Sequence, residues 1–220
     1  MSAAAKTRVG LRPGPAGALA CAYDEPLDVA EGRAAPAGTL ICCHPHPQHG
    51  GTMENKVVQT LVRAGLMRGW RVVRFNYRGV ASPLGASEGV WGEGRGELED
   101  TLAVLAAERP AEGPWALAGF SFGGWMAVEA VLRLPEAHWP QHLALIGPST
   151  ARQPVPALPE GLRARTLVVH GEVDEVVPLA ATLDWARPQQ LPVTVMPGVG
   201  HFFHGQLTGL KQVLAQAWRP

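Results

Sequence analysis

A chain of 220 residues with 46% hydrophobic and 17% charged residues has the apolar mass for a sizeable core and none of the composition of a disordered chain, so residues 1–220 are expected to form one domain. Lys and Arg total 19 against 19 Asp and Glu, which removes the net positive field that draws proteins onto nucleic acid or anionic membranes. The three cysteines imply no disulfide framework, and without a signal-peptide h-region or a run of ~18 apolar residues the expectation is a soluble, cytoplasmic protein.

Along the chain, Ala18–Tyr23 reads as one member of an N-terminal antiparallel pair. Short apolar runs bounded by turn residues then recur at Thr39–Cys43, Trp70–Phe75, Trp115–Gly119, His142–Ile146, Thr166–His170 and Val193–Met196. Their β-branched content and lack of a polar face suit strands buried between two layers of helices. Helical spacing of apolar residues fills the gaps: Asn55–Arg68, Gly96–Arg109, Gly123–Leu134, Leu179–Arg187 and Gln206–Trp218, with Pro135 and Pro188 as stops. Strands alternating with helices predict an α/β fold with a mostly parallel central sheet and helices on both faces. The Pro-rich segment Pro148–Arg165 reads as a connection, too short for a helical lid domain.

Gly119-Phe120-Ser121-Phe122-Gly123 fits G-x-S-x-G, and it stands between a predicted strand and a predicted helix. At such an elbow the backbone turns sharply, the flanking glycines allow close packing, and Ser121 Oγ is lifted toward solvent. The helix N-terminus brings unpaired N–H groups and positive dipole, with Phe122 N–H able to face a developing oxyanion. The nucleophile requires a base and an acid that orients the base, in the chain order Ser, Asp, His. Asp174, just past the strand Thr166–His170, is the better placed acid, with Glu172 and Glu175 as competitors that spacing alone leaves open. His201 follows the strand Val193–Met196 across a Gly-rich loop and is preferred as base over His204, which is expected to start the final helix.

His44-Pro45-His46-Pro47-Gln48-His49 admits two readings. The spacing of His44, His46 and His49 is that of a zinc motif, although Gln48 stands where that motif has an acid and the two prolines constrain the loop. Alternatively, this loop after an early strand supplies the second oxyanion donor. Pro45 and Pro47 carry no N–H, which leaves the His46 backbone, or Gln48 further on.

His44-Pro45-His46-Pro47 with Gly50-Gly51, Phe75-Asn76-Tyr77-Arg78-Gly79, Gly119-Phe120-Ser121-Phe122-Gly123-Gly124, Asp174 and Gly200-His201-Phe202-Phe203-His204-Gly205 together resemble the small, lidless bacterial α/β-hydrolases related to dienelactone hydrolase. The resemblance runs from about Thr39 to the C-terminus. It implies the α/β-hydrolase fold, esterase-like chemistry and a Ser-Asp-His triad on Ser121, Asp174 and His201, with Phe122 and His46 as backbone donors. Dienelactone hydrolase itself has a cysteine nucleophile where this chain has Ser121. The expected function is cleavage of small or medium soluble esters or thioesters through an acyl-enzyme, with no metal or organic cofactor and no nucleic-acid or membrane partner. Trp91, Trp125 and Phe202 are candidate pocket walls, and an ion pair from Arg78 to a carboxylate near Glu97 and Asp100 is a further expectation. A non-catalytic scaffold on the same fold and a zinc hydrolase are the competing readings.

Overall fold

The computed structural model describes residues 4–218. Two long strands, β1 (Ala5–Gly14) and β2 (Gly17–Pro26), form an antiparallel hairpin that leads through the one-turn α1 (Leu27–Ala30) into the βα alternation. There follow β3 (Thr39–Cys43), α2 (Lys56–Met67), β4 (Arg71–Phe75), the two-residue strands β5 (Ala81–Ser82) and β6 (Gly85–Ala86), α3 (Arg95–Glu108), β7 (Trp115–Phe120) and α4 (Phe122–Val131). The chain continues through β8 (His142–Ile146), the one-turn α5 (Glu160–Arg163), β9 (Thr166–Gly171), α6 (Leu179–Ala186), β10 (Val193–Met196) and α7 (Leu207–Ala217). Eight strands make one sheet in the order β1-β2-β4-β3-β7-β8-β9-β10, and the six from β4 to β10 in that order run parallel. The hairpin pairs antiparallel with β4 through Cys21 opposite Phe75.

The central strands β4, β3, β7 and β8 are buried on both faces, which is why they read as short apolar runs. On β3, Ile41 and Cys43 point into a core that includes Leu98 and Val104 of α3 and Met126 and Val128 of α4. Leu40 and Cys42 point the other way, into a core built with Val57, Val58 and Leu61 of α2 and Leu210 and Leu214 of α7. This period-two division fixes the strand registers, because a one-residue slip would exchange the faces. The α2 helix starts where Asn55 accepts the Val57 N–H at 2.8 Å, so the helix begins one residue after its predicted start.

The topology positions the functional end. From β3 the chain moves to β4 on one side, then crosses by α3 to β7 on the other side of β3, so the loops after β3 and β7 diverge at a switch point where a crevice opens. The Pro148–Arg165 connection is irregular as expected, apart from the single turn α5, and it buries Val155, Leu158 and Leu162 against the α3/α4 core. No helical lid rises from it. No helix among the described residues is long and apolar enough to cross a membrane.

Candidate functional site

Ser121 occupies the turn from β7 into α4 with φ 55° and ψ −116°, a left-handed conformation that few non-glycine residues adopt. Such a conformation costs about 1–3 kcal/mol and persists only where the surroundings over-determine it. Here they do: the Ser121 N–H donates to the Ile146 carbonyl at 2.9 Å, and the Ser121 carbonyl accepts the Gly124 N–H at 2.9 Å. Both elbow glycines are sterically required. A Cβ on Gly119 would strike the Gly123 carbonyl, and one on Gly123 would strike the Cys43 carbonyl at the end of β3. That close approach brings the loop after β3 beside the start of α4, with the His46 and Phe122 rings 5.0 Å apart. The backbone N–H groups of His46 and Phe122 have no hydrogen-bond acceptor among the described residues.

Asp174 and His201 meet in the same crevice. His201 Nδ1 donates to Asp174 Oδ2 at 2.7 Å, and both side chains are buried. Asp174 Oδ1 accepts the backbone N–H groups of Val176 at 2.9 Å and Val177 at 2.7 Å. Burial pushes the Asp174 carboxyl up, but the hydrogen bonds from His201, Val177 and Val176 outweigh it and hold the group below the ordinary carboxylate value. A Cβ built on Gly147 would lie 3.5 Å from both Asp174 Oδ2 and His201 Nδ1, and Gly147 directly follows Ile146, the residue that accepts the Ser121 N–H. The Phe120 ring is 4.9 Å from that of His201. Ser121 is thus joined through Ile146 and Gly147 to the Asp174–His201 pair, and no hydrogen bond joins Ser121 Oγ to His201 among the described residues.

The competing acids hold the base loop instead. Glu172 accepts the Gly198 N–H at 2.8 Å, and Glu175 accepts the His201 backbone N–H at 3.3 Å. Phe203, fully buried in the α2/α7 core, anchors the loop from its other side. His204 is exposed and precedes α7 by three residues, so it does not open the final helix as the sequence suggested.

The zinc reading of the histidine cluster fails on geometry. His44 is fully buried, its Nε2 accepts the Tyr77 N–H at 3.1 Å, and its Nδ1 therefore carries a proton donated to the Pro45 carbonyl at 2.6 Å. Neither nitrogen is left for a metal, and no group of three His, Cys, Asp or Glu among the described residues is arranged to hold one. Burial pushes the His44 imidazole down to about 3. The His46 ring stacks on His49 at 4.3 Å and lies 4.8 Å from Trp91.

Two recesses flank the loop after β3. One, of about 350 Å³, is lined by Gln48, Gly51, Arg78 and Trp91 among others, and the other, of about 440 Å³, by Asn55, Lys56, Phe202 and His204 among others. Phe202 stands 41% exposed at the rim of the second. Trp125 packs edge-on against Phe122 and donates its indole N–H to Glu129 at 3.1 Å. Arg78 pairs with Asp100 at 2.8 Å, while Glu97 accepts the Gly92 and Gly94 N–H groups and caps α3. Sequence reasoning missed Gly147 and His170, the latter 3.4 Å from Asp174 Oδ2. The His-Gly pair ending β9, just ahead of the acid, was the signal that could have exposed His170.

No family model matches the sequence. XC6422 from Xanthomonas campestris, described as an α/β serine hydrolase without a lid, is 35% identical over 96% of this chain and 93% of that one, with a TM-score of 0.82. An α/β serine hydrolase homologue from Coxiella burnetii is 33% identical over 96% of this chain and 97% of that one, at a TM-score of 0.74. The human mitochondrial palmitoyl-protein thioesterase ABHD10 is 38% identical over 87 residues, covering 38% of this chain and 24% of that protein. The chain spans about half the length of one curated relative that it matches, and about a quarter of the thioesterases.

Proposed function

Since the chain belongs to the α/β serine hydrolases without a lid, we propose that it cleaves carboxylic esters or thioesters through an acyl-enzyme formed on Ser121. The observation that carries the reading is the buried 2.7 Å contact of His201 Nδ1 with Asp174 Oδ2, set in the crevice onto which the strained Ser121 elbow opens.

In this reaction His201 Nε2 takes the Ser121 proton as Oγ attacks the acyl carbon, and Asp174 fixes the tautomer and stabilises the imidazolium. The Phe122 and His46 N–H groups receive the oxyanion. The imidazolium then protonates the leaving alcohol or thiol, and a water molecule activated by His201 releases the acid. Every proton in the cycle is carried by a residue of the chain or by water, so the reaction as written calls on no cofactor. The Pro148–Arg165 connection without a helical lid suits small to medium acyl groups. The partial identity to palmitoyl-protein thioesterases supports including thioesters in the substrate class.

The test is turnover of short-chain nitrophenyl esters and acyl thioesters by the wild type, Ser121→Ala and Asp174→Asn. Ser121→Ala is expected to reduce turnover to background, and Asp174→Asn to lower kcat by about 10³–10⁴-fold with the fold intact. Turnover that survives Ser121→Ala would remove Ser121 from the role.

A further inference from the structure

Two histidines face one oxygen of Asp174. His201 Nδ1 lies 2.7 Å from Oδ2, and His170 Nε2 lies 3.4 Å from the same atom while 2.8 Å from the Val177 carbonyl. His170 is fully buried at the end of β9, and its Nδ1 has no partner among the described residues. A carbonyl and a carboxylate can only accept, so Nε2 carries the proton and Nδ1 is bare.

Resting on the serine-hydrolase reading, we propose that His170 is a positioning residue for Asp174: its Nε2–H grips the Val177 carbonyl and its ring stands 3.4 Å from Oδ2, so that Oδ2 stays aimed at His201. The geometry gives the argument. Val176 and Val177 N–H groups hold Oδ1, which fixes one end of the carboxylate and leaves rotation about it as the remaining freedom. His170 closes that freedom from behind, and by gripping the Val177 carbonyl it also fixes the peptide segment that supplies the two N–H donors. Proline at 178 makes the segment stiffer still. The titratable groups that face His170 are Asp174 and His201, and burial, opposed by the Val177 and Asp174 contacts, keeps the imidazole below its ordinary value. A neutral His170 suits the role, because it stands beside Oδ2 without adding a charge that would compete with the His201 imidazolium for Asp174.

The experiment compares kcat and KM for a chromogenic ester in the wild type, His170→Leu and His170→Gln. The leucine removes the donor, and the glutamine amide replaces the Nε2–H. His170→Leu is expected to lower kcat about tenfold or more at unchanged KM, and His170→Gln to stay within about threefold of the wild type. Equal kcat in the wild type and the leucine variant, or a glutamine variant as slow as the leucine one, overturns the proposal. Should the leucine variant not fold, the ¹⁵N histidine spectrum of the wild type decides. A protonated Nε2 and bare Nδ1 on His170 at neutral pH are expected, and the opposite tautomer overturns it. A wild type that turns over no ester and takes no active-site label overturns the parent reading instead, and the same spectrum still judges the tautomer.

Discussion

A neutral imidazole buried directly after β3 makes stability depend on pH. His44 bridges the Tyr77 N–H and the Pro45 carbonyl, and its folded-state value of about 3 lies far below the ~6.5 of an unfolded histidine. Between those values the unfolded chain binds a proton that the folded chain refuses, so stability falls as pH drops from about 6.5 toward about 3. His170, shifted the same way, adds to the slope. Asp174 acts lower: its depressed carboxyl stabilises the fold above the ordinary carboxylate value and loses that contribution as pH falls through the folded value. The urea midpoint should therefore decline steadily below about pH 6.5, and His44→Gln should shallow the decline without abolishing it. A midpoint that is flat across this range in the wild type would contradict the assignment of a neutral His44.

At the scale of elements, the elbow joins two strands and a helix at one point. The start of α4 touches the end of β3 so closely that Gly123→Ala must move backbone, since the obstructing atom is the Cys43 carbonyl. Overpacking of this kind costs about 1–3 kcal/mol or more and displaces the very N–H groups proposed to bind the oxyanion. Gly123→Ala is expected to lower Tm and reduce ester turnover by about 100-fold or more. Gly209→Ala on α7 is the control: only Met196 Cε and Gln206 Oε1 come near, at 3.3 and 3.4 Å, and the substitution should leave turnover unchanged and Tm equal or higher. A fully active Gly123→Ala variant would show that the elbow tolerates displacement. The letters of the elbow, the strand before it and the helix after it were legible in the sequence because the two glycines punctuate a short apolar run and a longer apolar segment that stops near Pro135. The extent of β1 was not: exposed over most of its length, it carries no alternation. The turn α5 hides among prolines for a related reason, being too short to show a period.

The molecule as a whole brings its candidate site residues to one end of the parallel strands. The loops after β3, β7, β9 and β10 bring His46, Ser121, Asp174 and His201 to the ends of parallel strands, and the switch point between β3 and β7 opens the crevice that they share. Ser121, Asp174 and His201 could be proposed from the sequence because each follows a recognisable strand, and the Asp174–His201 hydrogen bond is consistent with that proposal. Gly147 could not be assigned in that way, since its approach to Asp174 and His201 joins segments distant in the chain; His170 lies only four residues before Asp174, but which atoms meet is decided by the turn that follows β9. The zinc reading arose from the same limitation, as spacing suggested convergence and the buried hydrogen bonds of His44 point it away. With no helical lid over the crevice, a small electrophile should reach the serine without any opening step. The central claim, an activated Ser121, is tested most directly by intact-mass labelling with a fluorophosphonate on the wild type and on Ser121→Ala. A single adduct on the wild type that is absent from Ser121→Ala is predicted; a folded wild type that takes no label, or a label that persists in Ser121→Ala, would contradict it.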